Sequence, residues 1–230
     1  MPFSQKTLDF LFENRLHDSR IWFEEHKSDY RQYILEPLRE LVRSLSPFML
    51  EIDDQFTIDP RVDKTICRIW RDTRYSHDKS LYRDTMWIIF RRGEKMHTSE
   101  FPSLYFEITC TGFNYGTGFY HASTGYMETP RSLILAGSPA FQRAQDSFSR
   151  QSIFHMEGEC YKRPHFPDQP DSLRQWLERR NISFCSENIA DFPLLFSDQL
   201  VPYLVKGFQS IAPVYDFLLQ TSYQEKLKSM

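Results

Sequence analysis

The stretch from residue 61 to residue 83 concentrates side chains that could do chemistry. It holds seven basic residues and three aspartates, a net charge of +4 in a chain whose formal net charge is -3. Guanidinium groups bind phosphate and carboxylate through paired hydrogen bonds, and a neighbouring aspartate can orient them. We therefore predict a side-chain site for a small anionic or phosphorylated ligand. Its predicted ligand-binding residues in this stretch are Arg68, Arg71, Asp72, Arg74, Asp78, Lys79 and Tyr82.

The same charges also have a purely structural interpretation. If the stretch is helical, Arg68 with Asp72 and Arg74 with Asp78 are i,i+4 pairs, each worth about 0.2 to 0.5 kcal/mol. If it is an ordered loop, they form an ion-pair network that fixes the entrance to a sheet. The protein would then be a non-enzymatic interaction or scaffold module. Charge clusters mark function only statistically, so composition leaves both alternatives open.

Several residues outside this stretch are further candidates. Tyr120, Arg131 and Arg163 are expected to join the ligand site. A carboxylate among aromatic residues, such as Glu107, can have a raised pKa and act as an acid or base, and His121 can act as a base or a metal ligand. The ordinary alternatives are that Glu107 faces solvent or pairs with an arginine, and that His121 is a hydrogen-bonded rim residue. The catalytic candidates are Asp72, Glu107 and His121, with no reaction assigned.

The chain has only 8 glycines, which limits the kinds of phosphate and cofactor site it can form. Backbone cradles for nucleotides need glycine-rich loops, and here only Gly116 and Gly118 are close together, with His121 at the next position where a dinucleotide fingerprint needs glycine. No cofactor is therefore assigned. The seven histidines and four cysteines lack ligand spacing, so no metal is predicted, although a site assembled by the fold stays open. The cysteines are expected to be buried free thiols.

Two regions of the chain have helical periodicity. Ser4 is a good N-cap for a first helix, a second is expected from Asp18 or Ser19, and Pro37 should kink or divide it. In the C-terminal region, apolar residues recur every three or four positions from Val201 to Leu218. We expect helical parts at about 4–46 and about 171–225.

The middle of the chain has the pattern of strands. Thr85 to Arg91, Ser103 to Thr111 and Phe113 to His121 are short and rich in aromatic and β-branched residues. A further strand is expected from Ile153 to Lys162. The predicted fold is α+β: an antiparallel sheet of about four to six strands (sheet core about 64–165), flanked by N-terminal and C-terminal helices in a single domain, 1–230.

Composition also limits the partners. No run of 18 apolar residues occurs and the N-terminus lacks a secretory pattern, so we expect no membrane span and a cytoplasmic protein. The balanced overall charge disfavours nucleic-acid binding. The 36 aromatic rings could stack single-stranded bases, which keeps RNA binding as a third alternative, but core packing accounts for their spacing. The oligomeric state is not predicted.

The string Arg-Asp-Thr-Arg-Tyr-Ser-His-Asp-Lys-Ser-Leu-Tyr at 71–82 resembles the signature of the domain of unknown function 2461 family. That signature is typically Arg-Asp-x-Arg-Phe-Ser-x-Asp-Lys-x-Pro-Tyr, so Tyr75 replaces phenylalanine and Leu81 replaces proline. The resemblance covers nearly the whole chain. It implies a shared fold and shared site positions, and it transfers no reaction.

Overall fold

A computed structural model describes residues 3–93, 101–119 and 124–228 of the chain. Five strands form one sheet in the order β1-β2-β3-β5-β4, and helices occupy both ends of the chain. The strands are β1 (Thr85–Arg91), β2 (Ser103–Thr109), β3 (Gly112–Gly118), β4 (Phe154–Glu157) and β5 (Ser183–Ser186). The predicted α+β class with an antiparallel sheet of four to six strands is confirmed.

The chain divides into two compact units. Unit 1 comprises Met1–Met96, Tyr105–Tyr115 and Asn188–Lys206, and unit 2 comprises His97–Leu104, Gly116–Glu187 and Gly207–Met230. The single domain expected from the sequence stays a prediction.

The N-terminal helices belong to unit 1. They are α1 (Gln5–His17), α2 (Arg20–Glu25), the single turn α3 (Lys27–Asp29), a π-helix (Tyr30–Leu35) and α4 (Glu36–Ile52). Ser19 caps α2 by accepting from the Trp22 N–H, as expected from the sequence. Pro37 lies in the first turn of α4, where a missing N–H is tolerated, and the helix type changes from π to α one residue before it. The chain stays helical through this point, so the predicted kink or division stays a prediction. The apolar stripe of α4, including Leu38, Leu41 and Leu45, is fully buried.

Between α4 and β1 the chain follows β1 without forming a regular strand. The N–H of Cys67 donates to the Trp87 carbonyl at 3.0 Å, and the N–H of Ile89 donates to the Thr65 carbonyl at 2.8 Å. Ile66 and Ile88 are fully buried at this pairing. The segment that contains the charged signature is thereby fixed to the sheet at its start.

Unit 2 holds α5 (Glu128–Leu135), α6 (Pro139–Arg150), β4, α7 (Asp171–Leu177) and β5. Its core is aromatic: Trp176 is fully buried and contacts Phe141, Phe184 and Phe217 at ring-centroid distances of 5.3, 5.1 and 6.2 Å. Aromatic pairs at such distances add to the stabilisation from burial alone. The chain also contains α8 (Phe192–Leu195) and α9 (Leu200–Lys228).

A 3-10 helix (Thr124–Met127) runs directly into α5. Two sequence expectations are wrong, one about the end of a strand and one about the burial of a cysteine. Strand β4 ends at Glu157 and not near Lys162, because Gly158 has φ +123 and a Cβ there would meet the Asn181 carbonyl. The expectation of buried free thiols holds for Cys67 and Cys185, is met only in part by the half-buried Cys110, and fails for Cys160, which is exposed in the loop after β4.

Among the described residues, no helix combines the length and the apolar character needed to cross a membrane.

Candidate functional site

The charged signature folds as a hairpin of residues 69–83, here called the signature hairpin. Its stem is held by hydrogen bonds from the Arg71 N–H to the Leu81 carbonyl and from the Arg83 N–H to the Ile69 carbonyl, both 2.9 Å. Tyr82 is fully buried in unit 1, with its ring 4.3 Å from the Trp70 ring and 4.9 Å from the Phe23 ring of α2. Apolar packing of the stem therefore fixes the base from which the charged tip, residues 72–80, extends.

Asp18 joins the C-terminal end of α1 to the hairpin stem. It adopts the left-handed conformation, with φ 43, immediately after the helix. Its Oδ1 accepts hydrogen bonds from the N–H groups of Leu81 and Tyr82, at 2.7 and 3.1 Å. A charged acceptor for two backbone donors is stronger than a neutral one, so Asp18 positions the stem against α1.

Two guanidinium groups from different segments converge on Asp78 in the hairpin tip. Arg15 Nη2, from the last turn of α1, lies 3.1 Å from Asp78 Oδ2, and Arg71 Nη2 lies 3.2 Å from the same oxygen. The other carboxylate oxygen accepts from the N–H and the hydroxyl of Ser80, at 2.9 and 2.7 Å. One carboxylate thus faces two cations, which leaves this cluster with a net positive charge.

The Arg15 and Arg71 guanidiniums retain unused donors. Within the described part of the chain, Asp78 is the one side-chain partner of each, although a guanidinium carries five N–H donors. Their side chains are about one-third and one-quarter exposed (33% and 25%), so solvent reaches both. We name Arg15, Arg71 and Asp78 the two-arginine cluster.

The other signature cations are placed differently. Arg74 makes a bidentate pair with Asp72 at 3.0 and 2.7 Å, and Arg68 pairs with Asp63 at 3.0 Å. Lys79 Nζ donates to the Thr73 carbonyl inside the tip at 2.8 Å. The tip is not helical, so the i,i+4 pairs considered from the sequence do not form. The predicted ligand residues therefore separate into local pairs, and of these only Arg71 and Asp78 belong to the two-arginine cluster.

Hydrogen bonds and cations stabilise the ionised form of both tip aspartates. The pKa of Asp78 is lowered first by the Ser80 N–H and hydroxyl and then by Arg15 and Arg71. The Arg74 side chain and N–H hold the pKa of Asp72 well below its usual range. Both carboxylates are thus anionic at neutral pH. Burial raises the pKa of the Tyr82 phenol to about 12, which keeps it neutral.

Glu107 lies on β2, half-buried in unit 1. Burial raises the pKa of its carboxyl, Asp84 adds to the rise, and Arg83 opposes it. Arg83 itself packs over the Trp87 ring at 4.5 Å. Nearby Cys67 is buried, and burial raises the pKa of its thiol to about 12, so it is not a reactive thiolate. The acid-base role of Glu107 stays a prediction.

The remaining candidates lie elsewhere. Arg131 is buried in unit 2, where its Nε and Nη2 donate to the carbonyls of Leu177 and Arg179 at 3.0 and 2.6 Å, and its Nη1 pairs with Glu128 at 2.8 Å. It thereby satisfies carbonyls at the end of α7. Arg163 is an exposed residue of unit 2. Tyr120 and His121 lie outside the described residues.

Sequence reasoning missed Arg15 and Asp18. Both lie more than 60 positions before their partners in the hairpin. For Asp18 the sequence predicts only that the second helix starts there or at Ser19. Neither has a motif of its own. Only the left-handed residue at the end of α1 carries a local signal, because aspartate is among the residues that tolerate that conformation.

The helices, the antiparallel sheet and the hairpin with its Arg-Asp string define an α+β protein with a surface arginine cluster. The family model described as conserved hypothetical protein (DUF2461) matches residues 6–217. The chain therefore belongs to this family, and the resemblance noted from the signature is confirmed. A comparison with curated proteins found no match.

Proposed function

We propose that the protein binds a small anionic or phosphorylated ligand at the two-arginine cluster. The observation that carries this proposal is the convergence of Arg15 and Arg71 on one oxygen of Asp78, at 3.1 and 3.2 Å. Two guanidinium planes that approach one oxygen can also hold the oxygens of a phosphate or carboxylate between them. Catalysis is not part of the proposal.

Asp78 acts in this proposal as an internal substitute for the ligand. Its Oδ2 occupies the position between the guanidiniums, while the two Ser80 bonds hold Oδ1 in place. The carboxylate keeps the arginines oriented when no ligand is bound, and the excess positive charge favours a second anion. Such preorganisation lowers the entropic cost of ligand binding.

The experiment compares thermal unfolding of the protein with and without inorganic phosphate, nucleotides, sugar phosphates and carboxylates. A ligand that binds the folded state raises the unfolding temperature according to its concentration relative to Kd. We expect an increase in the wild type that is lost in Arg71→Ala and Arg15→Ala. Arg74→Ala is the matched control, because Arg74 is a more exposed tip arginine that pairs locally with Asp72.

Two results would count against ligand binding. One is the absence of any shift in the wild type across the panel. The other is an equal shift in wild type and Arg71→Ala, since that would place the anion elsewhere.

The alternative function is a non-enzymatic interaction or scaffold module in which the Arg-Asp signature is a structural ion-pair network. The Asp72–Arg74 and Asp63–Arg68 pairs favour it, because they match these charges locally. This alternative predicts that Arg71→Ala lowers the unfolding temperature. It also predicts that added anions leave the difference in unfolding temperature between wild type and variant unchanged. A normal unfolding temperature in Arg71→Ala would contradict it.

A further inference from the structure

Unit 2 contains a second polar cluster, formed where β4 and β5 pair. The strands are antiparallel, with His155 opposite Cys185 and Glu157 opposite Ser183. Residues two apart on a strand share a face, and so do residues directly opposite each other. His155, Glu157 and Cys185 therefore project from one face of the sheet.

The three side chains contact one another. His155 Nε2 lies 3.0 Å from Glu157 Oε1 and 3.5 Å from Cys185 Sγ. A catalytic relay would need the thiol and the carboxylate on different ring nitrogens. Here both partners approach the same nitrogen, and the Glu157 carboxylate is also hydrogen-bonded to Cys185, so three potential ligand atoms lie together.

The separations suit tetrahedral zinc. With Zn–N and Zn–S bonds of about 2.0 and 2.3 Å, tetrahedral angles place the nitrogen and sulfur about 3.5 Å apart, and a nitrogen and a carboxylate oxygen about 3.3 Å apart. The Nε2 to Sγ distance of 3.5 Å equals the first value. The Nε2 to Oε1 distance of 3.0 Å is slightly shorter than the second, and all three donor atoms lie within 4.8 Å of one another.

On the neighbouring strand β3, the residues that pair with β5 next to the cluster are glycines. Gly116 pairs with Cys185 and Gly118 pairs with Ser183. A Cβ at Gly116 would clash with the Phe184 carbonyl, so the close strand approach requires glycine. Neither glycine covers the cluster with a side chain. The His155 and Glu157 side chains are about half exposed (44% and 55%), so solvent reaches both.

We propose that His155, Glu157 and Cys185 bind a divalent transition-metal ion of the zinc class, with a fourth position open to water or an exogenous ligand. Imidazole, thiolate and carboxylate are the donors zinc prefers, and three protein ligands with one open position are typical of a reactive rather than a structural site. The site stands on different residues from the two-arginine cluster, so either proposal can fail alone.

The test uses the full-length protein after treatment with a chelator, titrated with Co²⁺. We expect one equivalent to bind with a near-ultraviolet thiolate-to-cobalt charge-transfer absorption that Zn²⁺ then abolishes. Cys185→Ser should lose this absorption. Cys160→Ser is the matched control and should keep it, because Cys160 is an exposed thiol of the same unit outside the cluster.

A wild type without the thiolate absorption, or a Cys185→Ser variant that retains it, would overturn the proposal. Because Cys185 is buried, its variant could fold poorly, so His155→Gln and Glu157→Gln give an independent answer. Loss of an outer-shell partner alone weakens metal binding by about 10- to 100-fold, so loss of either ligand should weaken Co²⁺ binding by at least about 100-fold. Unchanged affinity in both variants would equally overturn the metal site.

Discussion

Arginine is used in two contrasting ways in the two units. In unit 2, Arg131 is buried and its donors go to two backbone carbonyls and to Glu128. In unit 1, Arg15 and Arg71 are partly exposed and share one carboxylate oxygen. A guanidinium whose donors are used by the chain itself serves folding, whereas one with spare donors near solvent can serve a ligand. The sequence alone does not distinguish these two kinds of arginine.

Among the arginine variants, the largest expected effect comes from Arg131→Ala. It leaves the Leu177 and Arg179 carbonyls without their donors, and an unsatisfied buried polar group costs about 1 to 3 kcal/mol. We expect the free energy of unfolding in urea to fall by about 3 kcal/mol. Arg163→Ala, at an exposed arginine of the same unit, should change it by less than about 0.5 kcal/mol. Equal losses of unfolding free energy in the two variants would show that Arg131 supports the fold no more than an exposed arginine does.

A smaller effect is expected where α1 supports the hairpin. Asp18→Gly relieves the left-handed backbone at φ 43 but removes the acceptor for two N–H groups. We expect a loss of about 1 to 2 kcal/mol of unfolding free energy, because charge-assisted bonds outweigh the gain from glycine. Asp18→Asn tolerates the same backbone and keeps an oxygen acceptor, so its loss should be smaller. Asp18→Gly at wild-type stability would show that this contact does not support the stem.

Most of the fold could be predicted from the sequence, because the apolar pattern within each segment indicates which face of that helix or strand is buried. The positions of β1, β2 and β3 are examples. The two-arginine cluster could be predicted only in part. Arg71 and Asp78 belong to a recognisable sequence motif, but Arg15 contacts Asp78 only because α1 packs against the signature hairpin. In the same way, His155 lies opposite Cys185 only because of the register of two short strands. Contacts between residues so far apart in the chain produce no periodic pattern in the sequence.

The pH dependence of stability provides a weaker test of the cluster. The folded-state pKa of Asp78 is lowered from the ordinary value of 3.8, so its contribution is complete above that value and disappears as pH falls through the folded-state pKa. The difference in stability between wild type and Asp78→Asn should therefore be constant between about pH 5 and 7 and shrink in more acidic solution. Urea unfolding at a series of pH values measures it. A difference that grows on acidification would contradict the assigned direction.

The smallest effect is expected at the hydroxyl of Tyr82. Among the described residues this buried oxygen has no hydrogen-bond partner, and the ring packs against Trp70 and Phe23. Tyr82→Phe should therefore change the unfolding free energy by less than about 0.5 kcal/mol. Tyr82→Ala, which removes the ring as well, should cost about 3 to 5 kcal/mol. A large loss in Tyr82→Phe would mean that the hydroxyl, and not the ring, anchors the hairpin.

The most direct measurement of the central claim is the phosphate dependence of the unfolding temperature in wild type and Asp78→Asn, with chloride at equal ionic strength as the reference. If Asp78 occupies the position of an anion between Arg15 and Arg71, the variant should unfold at a lower temperature without phosphate and gain more from phosphate than the wild type does. A phosphate effect in Asp78→Asn no larger than in wild type, or one that chloride reproduces, would contradict an anion site at the two-arginine cluster.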